Sequence, residues 1–383
     1  MDFELTPQQK EVQQACREFA RKKIAPRAAH IDEADEFPRD LFVEMGRLGY
    51  LGLTIPEDYG GLGLDFITAT VAMEEIAWAS AGLGLSWGAH SFLCAHNLYS
   101  LGNEAQRKKY LPRLCSGEWI GAFALTEPGA GSDSTNLATK AIQKDDHWIL
   151  NGSKIFITNG SLANVILVFA ATPRKPGSQG ASLFIVDKDA PGFSVSRDIP
   201  KMGTRGSPLS ELIFDNCRIR QENLIGKEGR GLSYMLKSLD AERALLSSIA
   251  IGGAQMGLDF ALDYAKKRRQ FGAPIASFQL VQEMLAQMAT EIEAARLLVR
   301  QAAWRLDQKL NLNRQASIAK LFVSQMVMRV AQQAMQVLGG YGYCKEFPVE
   351  RFMRDAALMS LGAGTSEIQK LIIARDLIKE NGR

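Results

Sequence analysis

The run Trp148-Ile149-Leu150-Asn151-Gly152-Ser153-Lys154-Ile155-Phe156-Ile157 lies in the middle of a 383-residue chain whose two end regions are patterned for helices. Apolar residues flank the central Asn-Gly pair on both sides, and Asn-Gly is a strong signal for a two-residue hairpin turn. The run therefore predicts two antiparallel strands joined at Asn151-Gly152. Short apolar runs separated by turn residues predict further strands, at 165–170, 182–186 and 211–214.

Apolar residues recur at helical spacing on both sides of this strand-rich block. The N-terminal side opens with Thr6-Pro7-Gln8-Gln9, a capping box with proline at the first helical position. Helices are predicted there at 66–79 and 103–114. The C-terminal side has longer periods, which predict helices at 231–267, 278–308, 313–338, 348–357 and 365–380.

These patterns predict an α+β fold of three domains, as expected for a chain of this length. The N-terminal helical domain is expected over residues 1–120. A middle antiparallel β-barrel or sandwich follows over residues 121–225. Long antiparallel helices then form a C-terminal four-helix bundle over residues 226–383.

Composition excludes several classes of function. The net charge of +3 is small for this length, so we expect no nucleic-acid or membrane-surface partner. No apolar run of about 20 residues is present, so no membrane span is expected. Five scattered cysteines and four histidines lack disulfide or metal-ligand spacing, which predicts a reducing compartment and no metal site.

The amino-terminal residues bear on localisation. Met1-Asp2-Phe3-Glu4 has neither the basic start of a secretory signal nor the arginine-rich pattern of a transit peptide. The chain is therefore expected to be a cytoplasmic, bacterial protein. A processed form from the mitochondrial matrix stays open as an alternative.

Two segments carry a family resemblance. Leu361-Gly362-Ala363-Gly364-Thr365-Ser366-Glu367-Ile368-Gln369 resembles the signature loop of the acyl-CoA dehydrogenases, flavoenzymes that oxidise acyl-CoA thioesters to enoyl-CoA. Ala124-Leu125-Thr126-Glu127-Pro128-Gly129-Ala130-Gly131-Ser132-Asp133 resembles their flavin-binding loop, although its composition alone indicates only a turn-rich connection. The resemblance extends from Thr6 to Asp376. It implies FAD as cofactor, an electron-transfer flavoprotein as electron acceptor, and a homotetramer whose FAD sites span subunits.

The catalytic base departs from the commonest family pattern. Most members carry a glutamate immediately before the Gly-Thr-Ser, where this chain has Ala363. Glu242 stands at the alternative position used by the isovaleryl-CoA dehydrogenase branch. A helical glutamate beside an arginine is usually a surface residue, but the neighbours of Glu242 are apolar. Desolvation raises a carboxyl pKa and makes the carboxylate a better base, so we predict Glu242 as the base.

The resemblance also assigns binding residues. For FAD it implies Phe123, Leu125, Thr126, Gly131, Ser132, Phe156, Ile157, Thr158, Gln279, Gln336, Gly339, Gly340, Thr365, Ser366 and Glu367, with Arg268 and Phe271 reaching the FAD of a neighbouring subunit. For the acyl-CoA substrate it implies Leu85, Ala89, Ser132, Asp240, Arg243, Gly362, Ala363 and Gly364. The backbone N–H of Ala363, together with a ribityl hydroxyl of the flavin, would hold the thioester carbonyl.

Gly362 bears on the acyl group. Straight-chain enzymes of the family tend to carry a bulky residue there, so glycine leaves room for a methyl branch. We therefore expect conversion of isovaleryl-CoA to 3-methylcrotonyl-CoA. Another branched, cyclic or aromatic acyl-CoA is an alternative, because a methylene contributes only about 1–3 kcal/mol to discrimination. An oxidase is a further alternative, and so is a non-catalytic flavin- or DNA-binding protein with a basic surface at Lys266–Arg269.

Overall fold

The computed structural model of the chain describes residues 4–173 and 180–380, which form helices, then strands, then helices. The predicted capping box is confirmed: Thr6 Oγ1 accepts from the amide of Gln9 at 3.2 Å, and Gln9 Oε1 accepts from the amide of Thr6 at 3.0 Å. The helices predicted at 66–79 and 103–114 are also present. The N-terminal helices are α1 (Pro7–Phe19), α2 (Ala28–Ala34), α3 (Arg39–Arg47), α4 (Phe66–Ala79), α5 (Ala81–Gly88), α6 (His96–Leu101) and α7 (Glu104–Cys115).

The described strands of the middle region form one mixed sheet. They are β1 (Gly121–Ala124), β2 (Lys140–Lys144), β3 (His147–Thr158), β4 (Val165–Ala171), β5 (Ala181–Asp187), β6 (Phe193–Asp198), β7 (Leu209–Arg220) and β8 (Leu224–Ile225). Their order across the sheet is β6-β7-β3-β2-β4-β5-β8, and β1 pairs with β4. Most neighbours are antiparallel as predicted, but β1 and β2 both run parallel to β4.

The predicted hairpin turn at Asn151-Gly152 is wrong. β3 continues through both residues, and a bulge between Leu150 and Gly152 shifts its register against β7. Gly152 is needed there because its φ is +144° and a Cβ would lie 2.6 Å from Thr139 Cα. The real turn joins β2 to β3 at Asp145, whose φ is +48°. Pairing of β3 with strands on both sides outweighs the local turn preference of Asn-Gly.

β4 lies at the centre of the protein and is buried on both faces. Val165, Leu167 and Phe169 pack into the core formed with the N-terminal helices, whereas Ile166 and Val168 pack into a second core on the opposite face of the sheet. A strand covered on both faces needs an unbroken apolar sequence. This requirement explains why the 165–170 run shows no polar alternation.

The C-terminal region is helical. Its elements are α8 (Gly231–Lys267), the short strands β9 (Arg269–Gln270) and β10 (Ala273–Pro274), α9 (Gln279–Asp307), α10 (Asn313–Leu338), α11 (Val349–Ala356) and α12 (Ser366–Glu380). The predicted bounds of α8 and α10 are confirmed. Among the described helices α8 alone has the length and hydropathy of a membrane span, but 72% of its most apolar window is buried inside the protein. It is therefore the central helix of the fold, packed against α4, α9 and α10.

Candidate active site

Glu242 lies in the fourth turn of α8, with its side chain turned into the protein and only 9% exposed. Burial raises the pKa of Glu242 to about 7, although the positive charges of Arg243 and Lys320 oppose the rise. A carboxyl group with this pKa is partly ionised near neutral pH and is a strong acceptor of protons when ionised. These are the properties of a general base.

The loop that precedes α12 is held in an unusual conformation. Ala363 and Gly364 are consecutive residues with left-handed backbone, with φ values of +56° and +88°. Arg243 Nε donates to the carbonyl of Ala363 at 3.4 Å, and Gln369 Nε2 donates to that of Gly364 at 3.0 Å. Among the described residues, the N–H of Ala363 donates to no protein acceptor. The loop thus presents a free backbone donor at the residue that the family resemblance assigns to the thioester carbonyl.

The predicted substrate residues of α8 form a small polar cluster with this loop. Arg243 is buried and donates from Nη1 to Asp240 Oδ1 at 2.8 Å. Burial raises the pKa of Asp240 to about 6, and the charge and hydrogen bond of Arg243 oppose the rise. The structure therefore brings Asp240, Arg243, Ala363 and Gly364 together around the turn of α8 that carries Glu242.

Helix α5 also packs against the part of α8 that carries Glu242. Leu85 is half-buried and Ala89 is buried, and the helix that carries Leu85 packs against α8. A Cβ on Gly88 would lie 2.2 Å from Leu246 Cδ2, so the missing side chain lets Leu246 approach α5. Leu246 is one helical turn after Glu242 and shares its face of α8. The apolar residues near Glu242 are thus packed closely.

The predicted flavin-binding loop is anchored by a buried ion pair. Lys154 Nζ of β3 donates to Glu127 Oε1 at 2.8 Å and to the carbonyl of Leu125 at 2.9 Å. Glu127 also accepts from the amides of Ala138 and Thr139, at 2.6 and 3.0 Å. Sequence reasoning missed both charged residues. The available signal was a lysine directly before the apolar residues Ile155, Phe156 and Ile157.

A bulge in β3 exposes Phe156 beside this loop. The register of β3 against β7 shifts between Lys154 and Ile157. Phe156 has a φ of +60° and is 57% exposed. The amide of the preceding Ile155 donates to the carbonyl of Thr126 at 2.9 Å, so Phe156 stands next to the loop. Ile157, in contrast, turns its side chain into the core of the sheet.

The other predicted cofactor residues of the loop fall into two groups. Phe123 and Leu125 are buried, and Thr126 is half-buried, whereas Gly131 and Ser132 are exposed. Among the described residues, the amides of Thr126 and Ser132 have no protein acceptor. Free backbone donors beside an exposed aromatic ring suit the polar edge and the face of an isoalloxazine. The residues present therefore fit a flavin.

A separate set of predicted cofactor residues lies at the far end of the helical region. Arg268 follows the end of α8, roughly 39 Å from Glu242 at the helical rise of about 1.5 Å per residue. Phe271 is 95% exposed, with a φ of +50°. The remaining members are all exposed: Gln279, Gln336, Gly339 and Gly340. Within a single chain, this set of residues does not lie beside Glu242.

Lys320 is the main residue of the site that sequence reasoning missed. It lies on α10, is only 1% exposed, and donates from Nζ to the carbonyls of Met359 and Gly364, each at 2.8 Å. Thr365 begins the next helix, where its hydroxyl accepts from the amide of Ile368 at 3.3 Å. Ser366 is buried and Glu367 is exposed. A lysine on the apolar face of α10 was the available signal for Lys320.

Comparison with protein-family models matches the whole arrangement. The chain matches the N-terminal, middle and C-terminal domains of acyl-CoA dehydrogenase at residues 6–118, 122–217 and 229–378. Among curated proteins, it is 44% identical to the mitochondrial isovaleryl-CoA dehydrogenase of Oryza sativa subsp. japonica, over 97% of this chain and 91% of that protein.

Solved structures share the fold. A chain from a study of the electron transferring flavoprotein of Acidaminococcus fermentans superposes with a TM-score of 0.96 at 42% identity, covering 98% of this chain and 99% of that one. Butyryl-CoA dehydrogenase from Megasphaera elsdenii superposes with a TM-score of 0.96 at 39% identity, covering 99% of this chain and 100% of that one. The names of the rice and M. elsdenii relatives give different acyl substrates, isovaleryl-CoA and butyryl-CoA.

Proposed function

Because the chain belongs to the acyl-CoA dehydrogenase family, we propose that it oxidises a short branched-chain acyl-CoA, with isovaleryl-CoA as substrate and Glu242 as base. The observation that carries the proposal is the buried carboxyl of Glu242 on the helix turn that binds the Ala363 loop through Arg243. Position 363, where most members of the family carry their glutamate, is alanine in this chain, so the base has to come from another position.

In the proposed reaction, different residues of the chain have different roles in removing the α-proton of a thioester. The N–H of Ala363 would donate to the thioester carbonyl and stabilise the negative charge that develops on its oxygen. Glu242 would accept the α-proton. Its raised pKa keeps the proton affinity of the carboxylate high, and its burial excludes competing water. Arg243 and Asp240 would meet the CoA portion.

The family is FAD-dependent. Bound FAD would supply the acceptor for the β-hydride. In this chain Thr126 and Ser132 would hold its polar edge through their free amides, and Phe156 would cover its ring. The distance between Glu242 and Arg268 supports an oligomer in which Arg268 and Phe271 serve the FAD of a neighbouring subunit. A homotetramer is the assembly that we propose, from the family resemblance.

The acyl group is the finer part of the proposal. A Cβ on Gly362 would lie 3.5 Å from Leu358 Cδ1, an ordinary contact distance, so a side chain would fit there and its absence leaves space. The rice relative is an isovaleryl-CoA dehydrogenase and the M. elsdenii relative is a butyryl-CoA dehydrogenase. Another branched, cyclic or aromatic acyl-CoA would use the same catalytic residues.

An electron-transfer flavoprotein is the proposed electron acceptor, and the cytoplasm is the proposed location of the protein.

The test is anaerobic bleaching of the bound flavin by a panel of acyl-CoA thioesters. The panel contains isovaleryl, isobutyryl, 2-methylbutyryl, butyryl, octanoyl and bulky cyclic or aromatic groups. Fast bleaching by isovaleryl-CoA with slow bleaching by straight chains is expected. Bleaching by a bulky group alone would replace the substrate and retain the mechanism. A flavoprotein that no thioester bleaches would contradict the proposal.

A further inference from the structure

Lys320 is a buried cation that connects two parts of the site. It lies on α10 among buried apolar and small residues, and its ammonium group has three N–H donors. Two of these bond the carbonyls of Met359 and Gly364, which lie at the two ends of the loop before α12. A buried ammonium group is costly unless its donors are satisfied. Its presence therefore indicates a specific role.

The bonds of Lys320 fix the geometry of the free donor at Ala363. Gly364 follows Ala363 directly, and both have left-handed backbone. This conformation is costly for alanine and persists only where the surroundings impose it. Arg243 from α8 donates to the carbonyl of Ala363, Lys320 from α10 donates to that of Gly364, and Gln369 from α12 donates to both. The loop is thus held from three helices.

The charge of Lys320 also acts on Glu242. α8 and α10 pack against each other. Arg243, the neighbour of Glu242, and Lys320 bond the consecutive carbonyls of Ala363 and Gly364. The ammonium group of Lys320 and the carboxyl of Glu242 therefore lie at the same helix contact, where their charges attract. The other charged groups that face this pair are Arg243 on α8, which also attracts Glu242, and Glu367 on α12, which attracts Lys320. Burial lowers the pKa of Lys320 to about 8, so it carries its charge at neutral pH.

We propose that Lys320 is a positioning residue, which fixes the loop from Met359 to Gly364 and supplies the counter-charge for the carboxylate of Glu242. This inference rests on the proposed function, in which Glu242 is the catalytic base. The ammonium group bonds the backbone of the loop, at Met359 and Gly364, so it acts through Ala363 and Glu242. The positive charge of a lysine here allows Glu242 to ionise near neutral pH, even though Glu242 is buried.

The test measures the protonation of Glu242 directly in the purified flavoprotein. The infrared spectrum of the wild type minus that of Glu242→Gln isolates the band of the protonated carboxyl, and its disappearance is followed as the pH rises. Lys320→Gln keeps hydrogen-bond donors for the loop but removes the charge. The midpoint should rise by about one pH unit or more, as expected on loss of a nearby opposite charge.

Ser324→Ala is the matched control. The Ser324 hydroxyl bonds the carbonyl of Met359 at 2.7 Å, so this variant loosens the same loop without removing a charge. Its midpoint should stay at the wild-type value, and so should that of Lys320→Arg, which retains the charge. An unchanged midpoint in Lys320→Gln would overturn the proposal. If Lys320→Gln does not fold, a midpoint displaced in Lys320→Arg would overturn it.

Flavin reduction by the best thioester gives the second readout. In Lys320→Gln the acid limb of kcat/KM should move to higher pH by the same amount as the infrared midpoint. In Ser324→Ala, kcat should change without a shift of the limb. If none of the thioesters reduces the flavin of the wild type, the proposed function fails. The infrared titration still decides whether Lys320 is the counter-charge of Glu242.

Discussion

Lys154 Nζ lies 2.8 Å from Glu127 Oε1, and the two side chains are 0% and 3% exposed. Burial alone would raise the pKa of Glu127, but the charge and hydrogen bond of Lys154, with the bonds from Thr139 and Ala138, hold it below its ordinary value. Both groups are therefore ionised at neutral pH. The pair ties the loop after β1 to β3, where Phe156 projects.

Removing one partner of this pair should destabilise the protein strongly. Lys154→Met leaves the carboxylate of Glu127 buried without its counter-charge, which costs about 3–5 kcal/mol. Urea unfolding followed by circular dichroism measures the loss. Arg197→Met is the control, since it removes an ion pair to Glu211 with an exposed arginine and should change stability by less than about 1 kcal/mol. Equal losses in both variants would contradict the assignment.

Glu242→Gln should abolish most catalysis while FAD stays bound. A positioned general base contributes about 10²- to 10⁴-fold to the rate, and glutamine keeps the shape of the side chain. Stopped-flow reduction of the flavin by isovaleryl-CoA gives the rate, and the visible spectrum gives the flavin content. In the wild type, kcat/KM should rise with pH up to about 7, where Glu242 becomes ionised. Reduction of the variant's flavin at the wild-type rate would exclude Glu242 as the base.

The same variant should be more stable than the wild type at alkaline pH. The folded pKa of Glu242, about 7, is above its ordinary value of 4.5. The folded protein therefore binds this proton more tightly than the unfolded chain does. The resulting stability is present below pH 4.5 and is lost as the pH rises through 7.

Glutamine is neutral at every pH and escapes this loss. Glu242→Gln should gain up to about 3 kcal/mol over the wild type at pH 8, from 1.36 kcal/mol per pKa unit, and nothing near pH 4.5. Thermal or urea unfolding at both pH values measures the difference. A gain that is the same at both pH values would show that ionisation of Glu242 is not its cause.

Two glycines of the same loop should respond differently to alanine. Gly364 has a φ of +88°, and a Cβ there would lie 2.8 Å from Gln369 Nε2. Gly364→Ala should cost about 1–3 kcal/mol in strain and slow reduction by every thioester, because the Ala363 donor moves. Gly362→Ala meets only ordinary contacts with Leu358. It should keep its stability and disfavour branched acyl groups; an equal stability loss in both variants would argue against this distinction.

Much of the helical architecture follows from local pattern. The apolar periods at 231–267 and 313–338 coincide with α8 and α10 because an amphipathic or buried helix repeats its core positions every three or four residues. The site motifs were also identifiable, since the 124–133 and 361–369 segments resemble those of a family. Glu242 was predicted to be buried from its apolar neighbours, and the structure confirms the burial.

Predictions from local sequence pattern failed where the structure depends on partners that are distant in the chain. Asn151-Gly152 has the residues of a turn, yet β3 passes straight through it because β2 and β7 offer partners on both sides. In the sequence Lys154 and Lys320 have apolar neighbours, but nothing there says which groups would accept hydrogen bonds from them. Only their surroundings make them buried cations, and those surroundings come from Glu127, Met359 and Gly364.

The amino-acid sequence by itself determined the order of helices and strands, the family, and the absence of a glutamate at position 363. Those properties depend on residues that are neighbours in the chain. Tertiary structure alone decided that Arg243 reaches the carbonyl of Ala363, 120 residues away, and that Lys320 holds the next residue of the same loop. Such contacts depend on how α8, α10 and α12 pack, because packing brings together donors and acceptors that no local pattern relates.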